Sequence, residues 1–248
     1  AILRLFRACT GAPDLLRLEA ELKVLAGRLG PARDWDVFLR GTAADLAAAT
    51  AEDARLAPLL REARAARGAA YAALRAELES PEFRLLALDL AATASQPDAW
   101  RAAAPAADTA LEGFGAALLE RRWRKLRKRG REMETLDLVA FHALRIDVKR
   151  LRYAAELFAP LWPGRAARRF LKRLARLQDA MGLANDAEVA RRLVAGLPGA
   201  GPGRAWAAGL LDGWCLAGSV AARRTSGGCW AAVEDAKPFW RGRRARSG

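Results

Sequence analysis

His142, Arg145, Lys149 and Arg152 recur at intervals of three, four and three residues. That spacing sets four potential cations on one side of an α-helix, within about 80° of one another on a wheel of about 100° per residue. Leu144, Val148, Leu151, Ala155 and Phe158 fill the opposite side. Such a face suits anion binding. A guanidinium fork matches two phosphate oxygens at once, an ammonium is a compact point charge, and a protonated imidazole donates to phosphate. Like charges at this spacing repel by a few tenths of a kcal/mol per pair, a cost that an anion laid along the face reverses. Arg150 and Tyr153 border the face. Asp147, the sole acid between residues 142 and 152, lies about 80° outside the cluster and, like Asp179, fits a surface role.

A second ladder follows. Arg169, Lys172, Arg173 and Arg176 are spaced i, i+3, i+4, i+7, about 120° around from the apolar stripe Phe170, Leu174, Leu177, Met181. Antiparallel packing of the two helices would set their ladders side by side as a groove. Upstream, residues 121–131 hold eight cations in eleven positions. Some complement a helix C-terminus; Arg124, Lys125 and Lys128 join the expected anion site.

No catalytic chemistry competes. Glu19-Ala20-Glu21-Leu22-Lys23 spells E-x-E-x-K, the strand motif of triphosphate tunnel metalloenzymes, which needs period-two geometry to align its side chains. Here the residues lie in the helical register of Leu18, Leu22 and Leu25, and Glu21 falls nearly opposite Glu19. G-x-S-x-G, G-x-x-x-x-G-K-[ST] and H-E-x-x-H patterns are absent, and a lone His142 without a second His or a Cys is not a metal site. The expectation is a binder without cofactor or metal.

The elements that must carry these residues emerge from an internal repeat. Leu29–Val37 aligns with Met181–Val189 at an offset of 181 − 29 = 152, and the same offset maps Leu18, Leu22, Leu25 and Leu29 onto Phe170, Leu174, Leu177 and Met181. Each run reads as a helix stopping at a glycine cap, Gly30 or Gly182, followed by a tight turn and a second helix, which Asp34 or Asp186 caps or joins in its first turn. Lys172, Arg173 and Arg176 map onto Ala20, Glu21 and Val24, so binding charge concentrates in the C-terminal half. The counterpart of residues 142–152 would precede residue 1, so the first helix of the N-terminal bundle is expected to be absent, leaving an apolar groove near Leu5, Leu22 and Leu25. Elsewhere, helices are expected over 51–79, from Ser80-Pro81 onward, over 106–129, and as a last pair over 204–222 and 230–239. A linker is expected at 96–105, a loop at 197–203 and a basic tail over 241–246. The fold class is all-α: an N-terminal helical bundle over 1–95 and a C-terminal one over 106–240, within a single domain of 1–248.

Totals agree with this reading. The net charge is +14, and 36 of the 42 cations are arginines, an excess that points to nucleic acid, an acidic membrane surface or a phosphate polymer. No run approaches eighteen apolar residues, so no membrane insertion is expected. Cys9, Cys215 and Cys229 form no C-x-x-C pair and read as core fillers in a reducing, cytoplasmic compartment.

The run His142-Ala-Leu-Arg145-Ile-Asp147-Val-Lys149-Arg150-Leu-Arg152-Tyr153 resembles the signature helix of the CHAD (conserved histidine α-helical domain) family. The runs ending at Val37 and Val189 and the terminal Phe239-Trp240 resemble that family too. The resemblance implies two four-helix bundles with pseudo-twofold symmetry, inorganic polyphosphate as partner and association with polyphosphate granules. By position it points to His142, Arg145, Lys149, Arg150, Arg152 and Tyr153. Non-specific nucleic-acid binding is the alternative, since basic helices also serve that purpose. The ladders, however, lack the Asn, Gln and stacking aromatics of specific readout, save Tyr153 at one margin.

Overall fold

A computed structural model describes residues 3, 5, 12–96, 110–133 and 135–241. The elements along them are helices: α1 (Pro13–Arg40), α2 (Thr42–Ala49), α3 (Ala57–Leu78), α4 (Pro81–Ala94), α5 (Leu111–Gly130), α6 (Leu138–Phe158), α7 (Arg165–Ala195) and α8 (Pro202–Glu234). Short 3-10 turns lie at Ala54–Leu56, Ala159–Leu161 and Phe239–Arg241. No strand occurs among the described residues. Local chemistry sets several starts. Ser80 Oγ accepts from Phe83 N at 3.1 Å with Pro81 next in line, and Asp137 accepts from Ala140 N at 2.7 Å to open α6.

Several boundaries differ from expectation. Gly30 and Gly182 do not end helices: α1 runs through Gly30-Pro31 and α7 through Gly182. The buried stripe continues past each glycine, at Ala32, Trp35 and Phe38 in α1 and at Ala184, Ala187 and Ala190 in α7. Packing therefore holds the helix where glycine alone would favour a stop. Asp34 and Asp186 consequently lie mid-helix, not in a first turn. The expected pair over 204–239 is one long helix, α8, and the helix expected from residue 51 starts at Ala57, after a 3-10 turn whose Asp53 accepts from Arg55 N. The linker at 96–105 lies, beyond Gln96, outside the described residues, as do Cys9 and the tail after Arg241. By length and composition α8 could cross a membrane, contrary to the reading of apolar runs. Its alanines and leucines, with Cys215 and Val220, raise hydropathy without an unbroken aliphatic stretch, and between Arg204 and Arg223 only Asp212 is charged.

The chain divides into two compact units, and neither is a contiguous half. The first comprises Ala1–Thr10, Pro105–Leu183 and Ala221–Gly248; the second comprises Gly11–Ala104 and Ala184–Val220. The expected 1–95 and 106–240 boundaries miss this because α7 and α8 are each longer than one unit needs. The first unit is built on edge-to-face aromatics. Phe170 meets Trp123, Phe239 and Trp240 at ring distances of 5.6, 5.8 and 5.1 Å. Glu120 ties the C-terminal end down, accepting from Trp240 Nε1 at 3.1 Å and from Arg241 at 2.8 and 2.6 Å. In the second unit, Trp35 and Phe38 of α1 pack with Leu59 and Ala63 of α3 and with Ala207, Leu211 and Cys215 of α8. The helix-start positions of α1 and α7, 13 and 165, differ by the same 152 residues as the sequence repeat.

Candidate anion-binding site

All thirteen expected site residues fall in the first unit. Within α6, Leu144, Val148 and Leu151 are fully buried, and this apolar face fixes the outward direction of the rest of the helix. Two further contacts hold its start. Arg223 of α8 donates to the carbonyl of Leu136, and its guanidinium lies 4.7 Å from the Phe141 ring centroid.

His142 is exposed on this helix, and Arg145 and Lys149 are half-buried. Lys149 Nζ stands 5.7 Å from the ring centroid of Tyr153, itself 37% exposed, so the aromatic margin and the ladder form one surface. Arg145 Nε is buried without a hydrogen-bond partner among the described residues. Arg152 is engaged by Glu156, one turn on, at 2.7 Å. That acid just beyond the ladder partly offsets its last cation, which a reading ending at residue 152 overlooks.

The ladder on α7 is more open. Arg169, Lys172 and Arg176 are exposed and have no acidic partner among the described residues. Arg173 is half-buried and donates to the carbonyl of Ala232 at 2.8 Å, which fixes its stem against α8.

Asp147 departs most from expectation. It is buried, at 8% exposure, and takes Lys125 Nζ at 3.0 Å, Arg129 Nη1 at 2.6 Å and Arg150 Nη1 at 3.8 Å. A carboxylate desolvated this far persists because several cations face it. It sits at the seam of α5 and α6, where Arg122 also donates to the carbonyl of Arg150 at 2.6 Å. Burial, then the charges of Arg150 and Arg121, pull the Arg122 guanidinium below its ordinary range. The seam therefore carries Arg121, Arg122, Lys125, Arg129 and Arg150 against one acid. Arg121, Arg122, Arg129 and Asp147 are the members that sequence reasoning left out of the site. The i, i+4 spacing of Lys125 and Arg129 was the available signal. Of the other three α5 cations, Arg124 lies 3.6 Å from Glu120, Arg127 lies 3.6 Å from Glu234, and Lys128 is exposed with no acidic partner among the described residues.

The CHAD domain family's sequence model matches residues 1–195. Among solved structures, the chain is similar to the crystal structure of the CHAD domain from the plant Ricinus communis. The identity is 31% and the TM-score 0.74, over 95% of this chain and 77% of that one. A search of curated proteins gives no match.

Proposed function

The chain belongs to the CHAD family, which is generally linked to polyphosphate binding, and from that premise we propose that its first unit holds inorganic polyphosphate on the cationic faces of α6 and α7. The observation that carries this reading is the run of exposed cations Arg169, Lys172 and Arg176, without acidic partners among the described residues, in the same unit as the His142–Arg152 ladder. A phosphate polymer offers one charge per repeating unit and no bases, which suits a surface rich in guanidinium forks and poor in readout groups. Binding, not turnover, is the activity, with placement at cytoplasmic polyphosphate granules as its setting. A competition experiment tests it: labelled long-chain polyphosphate against single- and double-stranded DNA at equal phosphate concentration. The polymer should be displaced by unlabelled polyphosphate well before either DNA displaces it. Displacement by DNA at equal or lower phosphate would make the domain a nucleic-acid binder instead.

A further inference from the structure

The cations at the α5–α6 seam are gathered differently from those of the ladders. Arg121, Arg122, Lys125 and Arg129 fall within about 100° of one another on α5, beside the buried stripe of Leu118, Trp123 and Leu126. Arg150 joins them from α6, and Asp147 lies between the two helices. Five cations therefore meet one acid, a surplus of 5 − 1 = 4 charges. Asp147 cannot absorb that surplus. Its Oδ1 already takes Lys125 at 3.0 Å and its Oδ2 takes Arg129 at 2.6 Å. An ammonium carries three donors and a guanidinium five. The side chains of Lys125, Arg129 and Arg150 are each about half exposed above the buried carboxylate, so most of their donors remain unspent.

Arg122 is the clearest sign that an anion belongs here. It is half-buried and donates only to a neutral carbonyl, that of Arg150, with no carboxylate in ion-pair reach among the described residues. Burial and the charges of Arg150 and Arg121 hold its guanidinium below the ordinary range, as befits a cation packed among cations. A seam that served only to join two helices would pair its charges.

We propose that this seam is a second anion site, separate from the ladders, and that it takes the doubly charged terminal phosphate of an oligo- or polyphosphate chain. The assignment rests on the polyphosphate reading for the identity of the polymer and on the seam's own geometry for the chain end. Charge density selects the ligand. The α7 ladder spreads Arg169, Lys172 and Arg176 along one helix, which suits interior units of one charge each. The seam instead converges cations from two helices on one place. A terminal phosphate, whose second ionisation falls at about pH 6, carries about two charges at neutral pH and has three free oxygens. Guanidinium forks from both helices, Arg122 and Arg129 on one side and Arg150 on the other, match those oxygens. Asp147 holds the cations together before the ligand arrives, which lowers the ordering cost of binding.

Tripolyphosphate has two chain ends, whereas cyclic trimetaphosphate has as many phosphorus atoms and no end. Calorimetric titration of the full chain should show tripolyphosphate binding at least tenfold more tightly than trimetaphosphate. Orthophosphate, which offsets only part of the surplus, should bind more weakly than tripolyphosphate. R122Q/R129Q should lower tripolyphosphate affinity at least tenfold, with thermal melts confirming its fold. R121Q, at an exposed residue without an acidic partner among the described residues, should lower it severalfold and gives a second route if R122Q/R129Q unfolds. R169Q/K172Q removes the same charge from the α7 ladder and should weaken long-chain polyphosphate while leaving tripolyphosphate within twofold. The two readings therefore fail separately: long-chain polyphosphate that does not bind contradicts the proposed function, and tripolyphosphate that ignores the seam contradicts this site. Trimetaphosphate or orthophosphate binding as tightly as tripolyphosphate would overturn the proposal, as would equal losses of tripolyphosphate affinity in R122Q/R129Q and R169Q/K172Q.

Discussion

Asp147 shows how a single side chain can set the character of a surface. Lys125 and Arg129 reach it from α5 and Arg150 from its own helix, so three cations share one buried carboxylate. Its removal leaves them facing one another across the seam. Asp147→Ala should cost about 1.5–3 kcal/mol of stability, the range for hydrogen bonds to charged groups, measured by urea unfolding. A loss below about 0.5 kcal/mol would mean that solvent already screens the cluster. Cys215 gives a second residue-scale test. Burial pushes its thiol up to about 11, so at pH 8 the native chain should be alkylated at half-buried Cys229 well before Cys215, as read by peptide mass spectrometry. From about pH 9 to 11 the unfolded thiol ionises while the folded one keeps its proton, so this group lowers stability as pH rises. Glu120 acts at the other end of the scale. Hydrogen bonds from Arg241, offset in part by burial, hold its carboxyl below the usual range. Its contribution is full above about pH 4.5 and fades as pH falls, and Glu120→Gln should remove that part of the acid sensitivity. Residues along one helix were legible in the sequence because 3.6-residue periodicity places them. Asp147 was not, because its burial depends on residues some twenty positions away on α5.

At the scale of elements, helix identity was legible and helix termination was not. Ala, Leu and Arg favour helix throughout, and Ser80-Pro81 announces a start that the structure has. Gly30 and Gly182 look like caps, but each lies in a helix whose next buried residues continue the stripe, at Ala32 and Ala184. Substitution distinguishes the two readings. A Cβ added at Gly182 meets nothing within 4 Å, so Gly182→Ala should raise stability by about 0.5–1 kcal/mol if the helix is continuous, and lower it if the residue is a left-handed cap. Gly130, by contrast, abuts the Trp230 ring closely enough that Gly130→Ala should destabilise by about 1–3 kcal/mol. Thermal melts of the pair check both signs. The groove expected near Leu22 and Leu25 has a counterpart beside α1 and α4, lined by Leu25, but Leu5 is buried and belongs to the other unit.

Over the whole molecule, charge is distributed by unit rather than spread evenly. The cationic ladders lie in the first unit, while in the second Asp36 pairs with Arg67 and Arg40, Glu62 with Arg204, and Asp212 with Arg191. Composition revealed the +14 excess but not this division, which depends on α7 and α8 each serving both units. If net charge alone drew the polymer, the location of a lost cation would not matter. Arg61 and Arg64 on α3 provide the control, being exposed and without acidic partners among the described residues. Polyphosphate affinity is therefore best measured across a salt series for the wild-type chain, R145Q/K149Q and R61Q/R64Q, which lose equal charge. The account predicts at least a tenfold loss, about 1.4 kcal/mol, and a shallower salt slope for R145Q/K149Q, with R61Q/R64Q staying within about twofold of wild type. Equal weakening by the two variants would contradict it and leave net charge as the sole determinant.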